Sequence, residues 1–238
     1  MSQDPSPVGR SGLRVGRVLG VPVIISPTWL ILAVLVTVIY SDVVRGVRPD
    51  WSDGLVYLVS FGFVVTLCGS VFLHELGHAF VSRRCGIGVR SITLEMLGGH
   101  TEMAAEADRP RTEAFIALAG PAVSALLGLI GLAGLAFTAP DTLAGQFAFQ
   151  IAVCNIIVAI YNSLPGMPLD GGRALRAMVW AIKGDRHLAS RVAGWFGRGI
   201  ALLTAGVGAS LYANDMLSAL GVVFTLVIAT VLWMGATR

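Results

Sequence analysis

Three observations predict an all-α polytopic membrane fold, six transmembrane helices with a short re-entrant β-hairpin between the second and third. Of the 238 residues, 55% are hydrophobic and 13% charged, about half the charged share of a soluble domain. Six apolar stretches each supply the roughly 20 residues that about 30 Å of hydrocarbon requires. One segment between the second and third alternates apolar with polar residues and carries paired glycines, which is a strand signature.

The spans fall at about 20–40, 55–80, 113–138, 142–162, 192–213 and 215–235. They take up nearly all of residues 1–238, which are read as a single membrane domain. The first span follows Arg10, Arg14 and Arg17. Its length, the prolines Pro22 and Pro27, and the lack of a small-residue cleavage site after Tyr40 argue against a signal peptide. The apolar part of the second span ends near residue 74, and the helix continues through a polar motif. The hairpin occupies about 87–104, with strands at 87–95 and 99–104 turning near Gly98 and Gly99. Open strand edges cannot face lipid, so this hairpin must lie against protein or line a wet cavity. The fourth span ends in Asn162-Ser163-Leu164-Pro165-Gly166-Met167-Pro168, a break of the kind found where backbone lines a site. Asp170-Gly171-Gly172 follows, and a helical pattern resumes over 172–183.

With the N-terminus inside, fifteen of the seventeen Lys and Arg fall on one side and only Arg45 and Arg48 on the other. The positive-inside rule therefore predicts cytoplasmic termini. The high Ala, Gly and Arg usage, with short loops, fits a bacterial inner membrane. The arginines flank spans and form no stripe, which argues against a nucleic-acid partner. Cys68, Cys85 and Cys154 show no CxxC spacing and imply neither a disulfide framework nor a thiolate metal site.

The chemistry is carried by His74-Glu75-Leu76-Gly77-His78, an HExxH within a helix. Residues i and i+4 share a helical face, so both histidines can direct a ring nitrogen at one metal with Glu75 beside it. Ionisable side chains at the end of an apolar span are costly enough to mark a functional site. Catalytic zinc takes three protein ligands and keeps a fourth position open. On local sequence Asp170 is equally a third ligand or a helix N-cap, and the upstream HExxH tips it to ligand. In this reading Glu75 is the general base. Asn162 is either an oxyanion donor or a helix C-cap.

These motifs, with Ala119-Gly120-Pro121-Ala122-Val123-Ser124 in the third span, resemble the site-2 protease family of intramembrane zinc metalloproteases. Residues 55–180 carry the resemblance, and the pairing of HExxH with Leu169-Asp170-Gly171-Gly172 is specific. It implies Zn2+ on His74, His78 and Asp170, and Glu75 as base. It places Asn162, and Gly98 and Gly99 of the hairpin, near the substrate or oxyanion. It implies that the hairpin receives an unwound substrate as an added strand, the substrate being a single-span or membrane-anchored protein. Gly120 and Ser124 are expected to let helices approach closely. The six-span branch often carries C-terminal CBS modules, and none appears within these 238 residues; nor does a PDZ-like insertion. His100 has no family counterpart: it is either an ordinary hairpin side chain or a residue that approaches the metal or gates the cavity. A transporter would spread ionisable groups over several spans near the midplane, and no inverted repeat supports one. A third reading is a relative that binds membrane proteins without turnover, against which the intact motifs argue.

Overall fold

The computed structural model describes residues 12–95, 98–139 and 141–237. Arg10 and Arg238 among the counted charges, Met96 and Leu97 in the hairpin, and Pro140 lie outside them. Two strands, β1 (Leu13–Val18) and β2 (Val21–Ile25), precede α1 (Pro27–Val47) and α2 (Asp53–Arg84). Strands β3 (Val89–Glu95) and β4 (Gly98–Met103) follow, then α3 (Pro110–Ala136), α4 (Leu143–Asn162), α5 (Asp170–Lys183), α6 (Arg186–Ala213) and α7 (Ala219–Gly235).

Five of these helices, α1 to α4 and α6, are long and apolar enough to cross a membrane. Helix α7 has 17 residues, about 25 Å at 1.5 Å per residue, so five of the six expected spans are long enough to cross. The chain is a multi-pass membrane protein, and its apolar side chains are distributed accordingly. Leu30, Ile31, Val34 and Val38 of α1 point outward, where hydrocarbon replaces water as their surroundings. The interior uses small residues instead: Gly128 and Gly131 of α3 are buried where α3 meets α4, because close backbone approach is what holds helices together in lipid.

The sequence-predicted first span is corrected at its start. Residues 21–25 are strand, and the helix begins at Pro27 behind Ser26, whose hydroxyl accepts from the Thr28 N–H. Val, Ile and Pro22 suit an extended segment. Their apolar character comes from burial under the sheet, where Val21 and Val23 are 4% and 8% exposed. The hairpin at 87–104 is present as β3 and β4, antiparallel, and Gly98 and Gly99 pair with Glu95 and Leu94. Gly98 and Gly99 are therefore part of the β4 ladder.

The four strands form one sheet in the order β1-β2-β3-β4, with β2 and β3 parallel. Ile92 and Leu94 of β3 and Val21 of β2 pack on Ala79, with Val71, Phe72 and Leu76 around them. The sheet thus lies along the second half of α2, beside the HExxH turn. At the opposite end of the bundle, Arg48 donates to the Asp141 carbonyl, which joins the α1–α2 and α3–α4 loops at one end.

Candidate metal centre

Helix α2 runs 32 residues, far past its apolar part, because its last three turns are covered by the sheet on one side and by α3 on another. His74, Glu75 and His78 are 4%, 6% and 3% exposed. The two imidazoles meet at their Nε2 atoms, 3.2 Å apart, and Asp170 Oδ2 lies 3.0 Å from His74 Nε2 and 3.1 Å from His78 Nε2. Ligand atoms of these three residues all lie within 4.8 Å of one another.

Asp170 reaches the histidines because of how the chain is forced past the break. Asp170 opens α5, whose cap residue is Leu169 and makes no side-chain cap bond. The N-cap alternative for Asp170 is therefore not the one adopted, and its carboxylate faces the histidines. Gly171 and Gly172 lie flush against the 163–167 backbone. A Cβ on Gly171 would collide with the carbonyls of Ser163 and Leu164, and one on Gly172 with Gly166 and Met167. The tight seat of the Asp-Gly-Gly run on the broken segment fixes where the carboxylate points.

The outer nitrogens of both rings are taken. His78 Nδ1 lies 2.6 Å from the Ile116 carbonyl, which can only accept, so Nδ1 carries the proton and Nε2 presents a lone pair. His74 Nδ1 lies 2.9 Å from Ser124 Oγ. Ser124 can donate or accept, so its contact alone does not fix the His74 tautomer; with His74 also protonated on Nδ1, two nitrogen lone pairs and a carboxylate oxygen face one point, a donor set that suits a cation. Orienting partners on the far ring nitrogens are usual at metal sites. The Gly120 position completes the cradle: a Cβ there would stand 2.5 Å from His74 Nε2 and closer to His78 Nε2. Gly120 and Ser124, expected to let helices approach closely, lie where α3 meets α2, and both face the imidazoles.

Glu75 is held by β4. Thr101 Oγ1 lies 2.8 Å from Glu75 Oε2 and 3.0 Å from the Glu75 carbonyl oxygen, two acceptors for one hydroxyl proton. Gly99, two residues back on the same strand face, leaves room for the Glu75 side chain, since a Cβ there would lie 2.7 Å from Cγ. Strand alternation turns His100 to the opposite face, where its Nδ1 lies 3.6 Å from Glu95 Oε1. The metal-competent group among the described residues comprises His74, His78 and Asp170 and does not include His100. Asn162, the last residue of α4, donates its side-chain amide to the Val158 carbonyl, 3.1 Å away in its own helix. Gly98, at φ +142°, begins β4.

Sequence reasoning missed Thr101 and the Ile116 carbonyl, for which no local signal exists. It also missed a buried ion pair beyond the centre: Arg176 Nε on α5 donates to Glu113 Oε1 on α3 at 2.7 Å, and Nη2 donates to the same oxygen. Glu113 is 1% exposed. A buried Glu and an Arg 63 residues apart were both legible only as charges flanking spans.

The sequence matches Peptidase family M50 over residues 62–151 and 140–206. It is 34% identical over 200 residues to the "Putative zinc metalloprotease sll0528" of Synechocystis sp., covering 83% of this chain and 52% of that one. It is 34% identical over 203 residues to the "Putative zinc metalloprotease Rip3" of Mycobacterium tuberculosis, covering 84% and 51%. The fold is similar to that of the "Site-2 Protease from Methanocaldococcus jannaschii", with TM-score 0.66, 25% identity, and coverage of 95% of this chain and 94% of that chain. The chain spans about half the length of the curated relatives it matches.

Proposed function

Because the chain belongs to peptidase family M50, we propose that it is a zinc-dependent intramembrane endopeptidase hydrolysing peptide bonds in or near transmembrane segments of membrane proteins. The observation that carries the reading is the convergence of ligand atoms of His74, His78 and Asp170 within 4.8 Å of one another, beside Glu75, whose carboxylate is anchored on β4. Two imidazole nitrogens and one carboxylate oxygen match the donor set and open fourth position of catalytic zinc. When bound, zinc supplies Lewis acidity and brings the ionisation of water close to neutral pH.

The remaining steps belong to this chain's own atoms. Thr101 holds Glu75 Oε2 and leaves Oε1 to take a proton from the attacking water and return it to the departing amine. His78 keeps a proton on Nδ1 for the Ile116 carbonyl, and His74 does the same when Ser124 Oγ accepts, so that each can present Nε2 as a ligand. Asn162, Gly98 and Gly99 lie near enough to the break and to β4 to be assigned to substrate or oxyanion; the Asn162 amide must first leave Val158. A helical substrate hides its carbonyls in i to i−4 bonds, so it unwinds before attack, and the outer edge of β4 offers its freed backbone groups a strand to pair with. His100, on the other face of the sheet, tests gating: His100→Ala is expected to leave zinc content, cleavage rate and pH profile unchanged. Residues 1–238 act as one domain, with both termini in the cytoplasm of a bacterial inner membrane and membrane-anchored proteins as substrates.

Glu75→Gln in liposomes tests the reading. It is expected to abolish cleavage of a single-span substrate while the protein retains stoichiometric zinc. Full activity in that variant removes Glu75 as base, and wild-type protein that binds no zinc removes the hydrolytic account.

A further inference from the structure

A cavity of about 350 Å³ opens beyond the end of β4, between that strand and α3, α5 and α6. We infer that it is an anion site for the substrate chain, holding an Asp or Glu side chain about one to four residues from the scissile bond. The inference rests on the proteolytic reading above and deepens it by naming a substrate feature.

Position comes first. Thr101 lines the cavity and also holds Glu75, so the cavity begins where the catalytic centre ends. A chain pairing with β4 is led directly into it. Arg173 and Arg176, both lining residues, follow Asp170 by one and two helical turns, about 4.5 and 9 Å along α5. An extended chain advances about 3.3 Å per residue, so these distances correspond to about one to three residues, and side-chain reach widens the window to about one to four.

Charge comes second. Three arginines line the cavity, Arg173, Arg176 and Arg186, against two glutamates. Arg176 is committed to Glu113. Arg186 lies 2.8 Å from Glu106, whose side chain is 76% exposed. Arg173 has no carboxylate partner among the described residues, and its recorded contact is with the Met103 sulfur at 3.9 Å, a weak acceptor. A half-buried guanidinium without a counter-charge gains most from an arriving carboxylate, which it can bind in a two-pronged fashion.

Polar complementarity comes third, and it favours a peptide over a lipid phosphate. Glu113 gives one oxygen to Arg176, while its Oε2 is buried with no hydrogen-bond partner. The cavity wall therefore pairs a free guanidinium with an unanswered acceptor. A peptide segment brings both a carboxylate and backbone N–H groups; a lipid phosphodiester itself brings acceptors only, its donors being confined to the ethanolamine or glycerol it carries.

The test uses full-length Glu75→Gln protein in phosphatidylcholine nanodiscs and fluorescent single-span peptides that differ in one Glu, Gln or Lys moved along the sequence. Binding is expected to be about ten- to hundredfold tighter for Glu than for Gln within one short window, as a charge-assisted hydrogen bond gives. Arg173→Gln should erase the preference, Arg173→Lys should keep most of it, and Arg173→Glu should transfer it to the Lys peptide, a swap that a merely structural role cannot produce. Charge-indifferent binding, no binding of any peptide, or a preference that survives Arg173→Gln and Arg173→Glu overturns the inference. So does loss of the wild-type preference when phosphatidylglycerol is added, which would assign the cavity to lipid. Cleavage by the unmutated chain maps the window relative to the scissile bond. If that chain cleaves none of the peptides while the charge preference persists, the proteolytic reading fails and the anion site stands.

Discussion

Two of the polar contacts that helix α5 makes with the rest of the bundle are opposite in kind. At its first residue, Asp170 meets His74 and His78, a donor set that suits an outside cation. Two turns on, Arg176 meets Glu113, where the chain supplies both charges, although Glu113 Oε2 is left without a partner. The same helix is therefore tied down once by a pair of its own chain's charges and once by a site built to be completed. The Glu113–Arg176 pair holds α5 to α3 whether or not a metal is bound, so the ligand geometry is prepared in advance, as a catalytic site requires.

The largest effect that separates the two contacts should come from Asp170→Asn and Gly120→Ala. The first removes a ligand charge, and the second drives a methyl group into the imidazole nitrogens. Each should lower zinc affinity by more than the 10- to 100-fold that loss of an orienting partner brings, read by metal titration. Neither should unfold the bundle, and an Asp170→Asn protein that retains full zinc would break the comparison. Next, Glu113→Gln leaves the partly covered Arg176 guanidinium, 18% exposed, without its counter-charge and should cost about 1–3 kcal/mol of stability, read by denaturation in detergent. Replacing both partners, with Glu113→Leu and Arg176→Met, should recover most of that loss, since well-packed apolar residues often equal a buried pair. If the double replacement restores stability but lowers zinc affinity, the pair acts to position Asp170; unchanged affinity would confine it to stability.

Smaller again is Ser124→Ala, which removes the partner of His74 Nδ1 and should weaken zinc by about 10- to 100-fold with little change in thermal stability. The smallest expected effect lies at the far end of α5. Asp185 caps α6: the Leu188 and His187 N–H groups donate to its Oδ1 at 3.0 and 2.8 Å. Led by the Leu188 bond, they hold its carboxyl below the ordinary value. A carboxyl depressed in the folded state stabilises above its unfolded pKa, about 3.9, and that contribution disappears as pH falls through the folded value. Asp185→Asn, which keeps a capping oxygen, should therefore lower the Tm slightly at neutral pH and make no difference in strong acid. A fully exposed group can give no more than a small shift, which is the contrast with Glu113.

The membrane class, the helical segments after residue 53 and the His74, Glu75, His78 motif were legible because each rests on local order: apolar runs of spanning length, or an i, i+4 repeat on one helix face. The hairpin was legible from alternation and glycines. The opening strands were not, because Val21 to Ile25 reads as the start of an apolar span, and its strand character comes from pairing with β3 about seventy residues later. Thr101, Ile116 and the Glu113–Arg176 pair were illegible for the same reason.

What the amino-acid sequence determined by itself was which chemical groups are present and at what local period, enough to place two imidazoles and a carboxylate on a shared helical turn and to mark Asp170 as a ligand candidate. Whether that candidate reaches the histidines, which ring nitrogen carries the proton, and which charge answers which were decided by tertiary packing. Those depend on how closely α3, α5 and β4 approach α2, and such distances are set by the bare faces of Gly120, Gly171 and Gly172, whose effect exists only when another segment arrives against them.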